Sequence, residues 1–69
     1  MRSEFRIEIE RETDGRWIAE VTSLPGVMAY GSTRHEALAR VEALALRVLA
    51  DQVEDTLKPM KKAPAFTCA

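Results

Sequence analysis

The sequence has little cysteine and little histidine, and this excludes two common ways of stabilising a small chain. Cys68 is the only cysteine of the 69 residues, so an internal disulfide is impossible, and with His35 as the only histidine there is no Cys/His cluster for a structural zinc. A core of this size supplies about 3 to 5 kcal/mol on its own. We therefore expect one domain that is supplemented by self-association or by a partner.

Long apolar runs and an excess of one charge are also absent. No stretch approaches the roughly 20 apolar residues that span a bilayer, and the first residues alternate where a signal peptide needs a continuous apolar run. Ten Lys and Arg residues nearly balance eleven Asp and Glu residues, for a net charge of -1. The composition therefore predicts a cytoplasmic protein without membrane attachment, and it disfavours a free-standing DNA-binding protein.

Strict alternation of polar and apolar residues over residues 4–10 predicts a half-buried strand. Asp14 and Gly15 supply turn chemistry, and residues 17–21 read as the returning strand of an antiparallel hairpin. In that second strand the side chain of Ile18 points to one face of the sheet, whereas those of its apolar neighbours point to the other. The outer face of the sheet should therefore carry an apolar spot.

A third strand and one long helix follow. Leu24-Pro25-Gly26 suits a type II turn, and residues 27–30 read as a short strand closed by Gly31. Thr33 and Glu36 have the spacing of a capping box, so a helix should begin here. Apolar residues at helical spacing carry it to about Ala50. These are Ala37, Leu38, Val41, Leu44, Ala45, Val48 and Leu49. Val53 and Leu57 could extend this apolar stripe, and Pro59 marks its end.

The predicted order is therefore β-β-β-α with a candidate final strand. We expect a two-layer α+β fold in which one helix packs on a three-stranded antiparallel sheet. Residues 1–58 form the domain and residues 59–69 a C-terminal tail. Within the tail, residues 65–68 are apolar enough to add a short strand.

Carboxylates close together in the sequence raise the hypothesis of a metal-dependent nuclease. Glu8, Glu10, Glu12 and Asp14 are the candidate ligands of a two-metal site. Their alternation with apolar residues is also typical of the solvated face of an amphipathic strand, and we favour that interpretation.

Other reactive residues suggest no catalytic centre. His35 falls in the exposed first turn of the helix without a Ser or Cys neighbour, and Cys68 lies close to a chain end. Lys58, Lys61 and Lys62 form a basic cluster without the aromatics that accompany single-strand binding, which favours a solvated linker.

Two large aromatic residues could serve either the core or an interface. We favour the core for Trp17, whereas for Tyr30 the sequence leaves both interpretations open.

Several segments together resemble the HicB-like antitoxin family over roughly residues 5–49. They are residues 14–21, the Leu-Pro-Gly turn, the Gly-x-Thr cap at 31–33 and the Glu-Ala helix start at 36–38. The residues that form this fold signature are Gly15, Leu24, Pro25, Gly26, Gly31, Thr33, Glu36 and Ala37. The chain departs from the family at Ser23, where Asp is frequent, and at Arg40, where Asn is frequent.

The resemblance implies a truncated ribonuclease H-like fold, β-β-β-α-β, without nuclease activity, metal or cofactor. Its members neutralise HicA-like toxins, small ribonucleases that cleave messenger RNA. The surface with which an antitoxin would bind its partner is the outer sheet face around Ile18 together with the strand edges, and Tyr30 is a further candidate interface residue. We also expect a homo-oligomer, either a dimer or a tetramer. Many members bind promoter DNA through an added C-terminal module, which we do not expect after Pro59.

We therefore expect a binding protein and not an enzyme. One alternative is an orphan structural or small-ligand-binding module of the same fold without a toxin. The other is the metal-dependent nuclease.

Overall fold

In the computed structural model, which describes residues 4–60 and 63–68, one helix packs against one face of a sheet. The elements in chain order are β1 (Glu4–Arg11), β2 (Trp17–Val21), β3 (Met28–Gly31), α1 (Arg34–Thr56) and β4 (Ala65–Cys68). The α+β class expected from the sequence is confirmed.

The sheet differs from the expected one in strand number and direction. Its order is β3-β2-β1-β4, in which the first three strands pair antiparallel and β4 pairs parallel to β1. The prediction of three antiparallel strands is therefore wrong, because the described sheet is four-stranded and mixed. A parallel neighbour requires a crossover connection, and its direction depends on the path of α1, which no local pattern in β4 reveals.

Alternation along β1 separates a buried face from a solvent face. Phe5 and Ile7 are buried, whereas Glu4, Arg6 and Glu8 are exposed. This strand is therefore confirmed by the burial pattern.

Two glycine-containing turns connect the antiparallel strands. In the first, Gly15 has a φ of 93° and its N–H donates to the carbonyl of Glu12 at 3.0 Å. In the second, the Val27 N–H donates to the Leu24 carbonyl at 3.1 Å, and Gly26 has a φ of 80°. Positive φ at the third residue is what a type II turn requires, so Gly26 permits the return into β3.

Helix α1 begins at its predicted cap and ends shortly before Pro59. Thr33 Oγ1 accepts a hydrogen bond from the Glu36 N–H at 3.0 Å, which satisfies a backbone donor of the first turn. The helix continues past Ala50 to Thr56, so it includes Val53 and ends shortly before Pro59, where the sequence predicts its end. It stops at Leu57, whose φ of 55° places it in the left-handed conformation with its N–H on the Val53 carbonyl at 2.8 Å.

The core lies between α1 and the sheet. One stripe of the helix, formed by residues 37, 41, 45 and 49, is buried against side chains from β1, β2 and the loop that follows β2. The buried residues are Phe5, Ile7, Ala19, Val21, Leu24, Val27, Ala37, Val41, Ala45 and Leu49. Trp17 is half-buried and packs against this cluster, in agreement with the core interpretation.

Strand β4 extends the core beyond the part that α1 covers. Phe66 is half-buried, and its ring lies 5.7 Å from the ring of Phe5, measured between centroids. This contact joins β4 to the side of β1 that faces away from β2.

Gly31 is the point of closest approach between helix and sheet. A Cβ at this position would overlap the backbone nitrogen of Ala37 and lie 2.9 Å from its Cα. Backbone atoms cannot move aside as a flexible side chain can. The position therefore requires glycine for reasons of space.

No helix in the described part of the chain is long and apolar enough to cross a membrane.

Replacement of Gly31 by alanine should force α1 away from β3 and destabilise the domain by about 2 to 3 kcal/mol, the upper part of the range for overpacked cores. Gly15→Ala is the control, because its surroundings are open and only its positive φ opposes a side chain, which costs about 1 kcal/mol. Urea unfolding followed by circular dichroism measures both. Equal losses of unfolding free energy in the two variants would show that the helix tolerates a small displacement from the sheet.

Candidate functional site

The sheet face opposite α1 is not covered by any described element. Residues that pair across antiparallel or parallel strands point to the same side, so the register defines this face. We call it the outer sheet face. It consists of Glu4, Arg6, Glu8, Glu10, Ile18, Glu20, Met28, Tyr30, Ala65 and Thr67.

Three large apolar side chains lie together on the outer sheet face. Ile18 pairs directly with Tyr30, and Met28 lies in the next row on the same strand as Tyr30. Met28 and Tyr30 are 43% and 41% exposed, and Ile18 is half-buried. We call Ile18, Met28 and Tyr30 the apolar patch. The predicted interface residues Ile18 and Tyr30 therefore lie side by side.

Carboxylates adjoin the apolar patch on the same face. Glu20 pairs with Met28 on one side and with Glu8 on the other, and Glu10 pairs with Ile18. Side chains directly opposite in an antiparallel pair have Cβ atoms roughly 5 Å apart. The Glu8–Glu20 pair thus places two negative charges against each other, an arrangement that opposes folding.

Cations do not neutralise these carboxylates within the described residues. The salt bridges there join Arg16 to Asp14 and Arg40 to Glu36, and neither includes Glu8, Glu10 or Glu20. The outer sheet face carries four glutamates against one arginine, Arg6. It is therefore a negatively charged surface with an apolar centre.

Arg16 holds the ring of Tyr30 at the border of the apolar patch. Its guanidinium carbon lies 4.7 Å from the centroid of the ring, and its Nε donates to Asp14 Oδ2 at 2.8 Å. An exposed cation–π contact stabilises by about 0.5 to 1 kcal/mol. Asp14 and Arg16 together therefore restrict the aromatic side chain before any partner binds.

Asp14 is itself held in its charged form. The backbone N–H of Arg16, which donates to Asp14 Oδ1 at 3.0 Å, is the main cause that lowers the pKa of the Asp14 carboxyl below its ordinary value. Desolvation, the next largest effect, opposes this by raising the pKa, and the hydrogen bond and positive charge of the Arg16 side chain lower it further. Asp14 thus remains available to orient Arg16 at neutral pH.

The nuclease hypothesis requires the acidic side chains of the first hairpin to lie close enough together to bind a metal ion. Glu8 and Glu10 lie on the outer sheet face, whereas Glu12 and Asp14 lie in the turn after β1. Among residues 4–60 and 63–68 no three His, Cys, Asp or Glu side chains form a group that could hold a metal ion. The structure therefore does not bring these candidates together.

The remaining reactive residues are scattered over the surface. His35 is exposed in the first turn of α1, Cys68 is an exposed thiol on β4, and Lys58 is exposed just after the helix. Lys61 and Lys62, the other members of the predicted basic cluster, lie outside the described residues. His35 and Lys58 lie at opposite ends of α1, so these two residues do not belong to one site.

The signature residues on which the family resemblance rests have structural roles. Gly15 and Gly26 form turns, Gly31 allows the approach of Ala37, and Thr33 caps the helix. Glu36 accepts from the Ser32 hydroxyl at 3.1 Å, Leu24 is buried, and Pro25 is exposed in its turn. The signature therefore concerns the fold and does not define a binding surface.

Sequence reasoning missed Met28 and Glu20 as members of the site. The available signal was the spacing of two residues between Met28 and Tyr30 and between Ile18 and Glu20, which puts each pair on one face. Only the register of β2 with β1 and β3 shows that the two pairs meet.

Comparisons with protein-family models, with curated proteins and with solved structures give no match.

Removal of one charge from the Glu8–Glu20 pair should stabilise the domain. We expect Glu8→Gln and Glu20→Gln each to raise the free energy of unfolding by about 0.5 kcal/mol, and the double variant to add little more, because either change abolishes the repulsion. Glu10→Gln is the matched control, since its partner across the strand is Ile18. Denaturant unfolding at low and high salt measures the effect, and additive gains that persist at high salt would contradict it.

The Asp14 carboxyl should titrate below its ordinary pKa of 3.8. Its contribution to stability is present above the unfolded-state pKa and is lost as the pH falls through the lower folded-state value. Arg16→Ala should raise the folded-state pKa only part of the way, because the backbone N–H remains. NMR titration of the carboxyl carbon tests this, and a complete return to 3.8 would assign the effect to the guanidinium.

Proposed function

We propose that this chain is a protein-binding domain of the HicB-like antitoxin type, which neutralises a HicA-like, mRNA-cleaving toxin by covering it with the outer sheet face. The observation that carries this proposal is the apolar patch of Ile18, Met28 and Tyr30 beside the carboxylates of Glu8, Glu10 and Glu20.

The charge of this face specifies the partner. A ribonuclease must attract the phosphates of its substrate and therefore presents a basic surface around its RNA-binding cleft. Glutamates without a salt bridge in the described chain can pair with those cations, so the domain would occupy the surface that RNA needs. Binding would also separate the Glu8 and Glu20 charges by placing a cation between them.

The apolar patch would supply affinity at the centre of such an interface. Aromatic residues and methionine are enriched in protein interfaces, and buried aromatic anchors contribute much of the binding energy. Tyr30 is already restrained by Arg16, so less side-chain entropy is lost when a partner covers it.

The arrangement of elements supports the same proposal. The order β1-β2-β3-α1-β4 is the order that the truncated ribonuclease H-like fold of HicB-like antitoxins implies. The signature residues of that resemblance occupy turns, a helix cap and the point of closest approach, where a fold constrains residue type.

A capture experiment with a functional readout tests this proposal. Tagged protein should recover from its native lysate a small basic ribonuclease, and RNA cleavage by that ribonuclease should be suppressed at an equimolar ratio. Glu20→Lys and Tyr30→Ala should each weaken the complex at least tenfold, because they remove a charge contact and an apolar anchor. The association rate should fall as salt is raised.

Asp55→Lys is the matched control for the charge reversal, since Asp55 is an exposed carboxylate on α1 and lies away from the outer sheet face. Circular dichroism checks that each variant remains folded. Capture of a ribonuclease that stays active in the complex, or equal loss of binding in the control, would contradict the proposed role.

A further inference from the structure

The outer sheet face changes in character from one strand to the next. Two complete rows of residues cross its three antiparallel strands, and in both a glutamate on β1 is followed by a residue of β2 and then by a large apolar residue of β3. They are the rows Glu8–Glu20–Met28 and Glu10–Ile18–Tyr30. The face is therefore acidic along its β1 side and apolar along its β3 side.

The dimensions of this pattern are those of one helix. Neighbouring strands lie roughly 4.8 Å apart, so the β1 and β3 sides are separated by about 10 Å, which is close to the diameter of a helix with its side chains. Successive rows lie about 6.7 Å apart along the strands, and residues i and i+4 of a helix lie about 6 Å apart along its axis. A helix that lies along β2 can therefore contact both sides of the face in both rows.

A single extended segment cannot make the same contacts. The side chains that a strand directs toward one surface form a single line, because successive side chains point to opposite sides. That line can follow the glutamates of β1 or the apolar residues of β3, but it cannot follow both. A flat partner sheet would cover the Glu8–Glu20 pair and remove two like charges from water, whereas a cylindrical helix leaves the margins of the face open to solvent.

The charges of the face determine where the cations of a partner would lie. Glu8 and Glu10 are exposed, and neither belongs to a salt bridge among the described residues. Arg6 lies one row beyond Glu8 on the same strand and is not joined to it. On the other side Arg16 already lies over the ring of Tyr30, 4.7 Å from its centroid. Cations are therefore attracted to the β1 side and not to the β3 side.

We propose that the outer sheet face binds an amphipathic helix of the partner, with lysine or arginine on one flank and aliphatic residues on the other. The helix lies along β2, with its cations against Glu8 and Glu10 and its aliphatic residues against Met28 and Tyr30. Each cation precedes an aliphatic residue by one position, and both kinds recur after four, since this spacing sets the two lines about 100° apart. The inference rests on the proposed function, because it names the part of the partner that this face would bind.

A model peptide tests this pattern. An alanine- and glutamine-based peptide of about 18 residues, long enough to form a helix, carries two Lys-Leu pairs four positions apart. A control peptide of the same composition has each lysine two positions after a leucine, on the opposite side of the helix. Titration into the isotope-labelled full chain, followed by NMR, gives both dissociation constants. We expect the first peptide to bind at least tenfold more tightly, with shifts concentrated in the two rows.

Variants of the full chain assign the contacts. Glu8→Gln combined with Glu10→Gln should weaken binding of the first peptide about tenfold, by removing two charge contacts. Glu54→Gln combined with Asp55→Asn is the matched control, because it removes two exposed carboxylates from α1 and should leave binding unchanged. The loss at Glu8 and Glu10 should disappear at about 1 M salt, whereas the loss caused by Met28→Ala should remain. Circular dichroism establishes that each chain is folded.

Equal affinity for the two peptides would overturn the helix inference, and so would shifts centred on α1 or an equal loss of binding in the α1 control. These outcomes are separate from those of the capture experiment. A chain that captures and inhibits a ribonuclease without distinguishing the peptides would overturn the helix inference alone. A chain that distinguishes the peptides and captures no ribonuclease would support the helix inference and count against the antitoxin role.

Discussion

The close approach of α1 to β3 at Gly31 is the constraint on which the rest of the structure depends. Because Gly31 has no side chain, the backbone of Ala37 can lie directly on the strand, and the buried alanines at 37 and 45 keep the helix near the sheet along its length. The buried stripe then covers β2 and β3 on one side only. A single helix cannot cover both faces of a sheet, so the opposite face, with Ile18, Met28 and Tyr30, remains in contact with solvent.

Local patterns predict the parts of this fold that local interactions determine. The alternation in β1, the glycine turns and the Thr33 cap all involve residues within a few positions of each other, and each is found where the sequence indicates. The end of α1 follows from the same local rule, because a packed helix continues at little cost until something opposes it, and the chain leaves the helix at Leu57, shortly before Pro59. The position of β4 depends on contacts with residues about sixty positions earlier, so no local signal fixes its direction.

For the candidate site too, single residues could be predicted from local patterns, whereas their pairing across strands could not. Ile18 could be identified because it interrupts the alternation of β2, and Tyr30 because it is a large aromatic residue near a strand end. The pairing of Glu8 with Glu20, and of Glu20 with Met28, is a property of strand register. A shift of one residue would move every one of these side chains to the other face. The electrostatic character of the outer sheet face thus arises only when the hairpin has formed.

The parallel pairing of β4 with β1 has a consequence for the order of folding. Glu4 pairs with Ala65, so this contact closes a loop that contains the other two strands and the helix. Contacts with such large sequence separation form late, because the entropy of loop closure opposes them until the intervening elements have collapsed. Until then β1 has an open edge and Phe5 lacks the ring of Phe66. A partly folded chain in which the hairpin and helix are complete but β1 still lacks β4 would therefore expose this strand edge to aggregation.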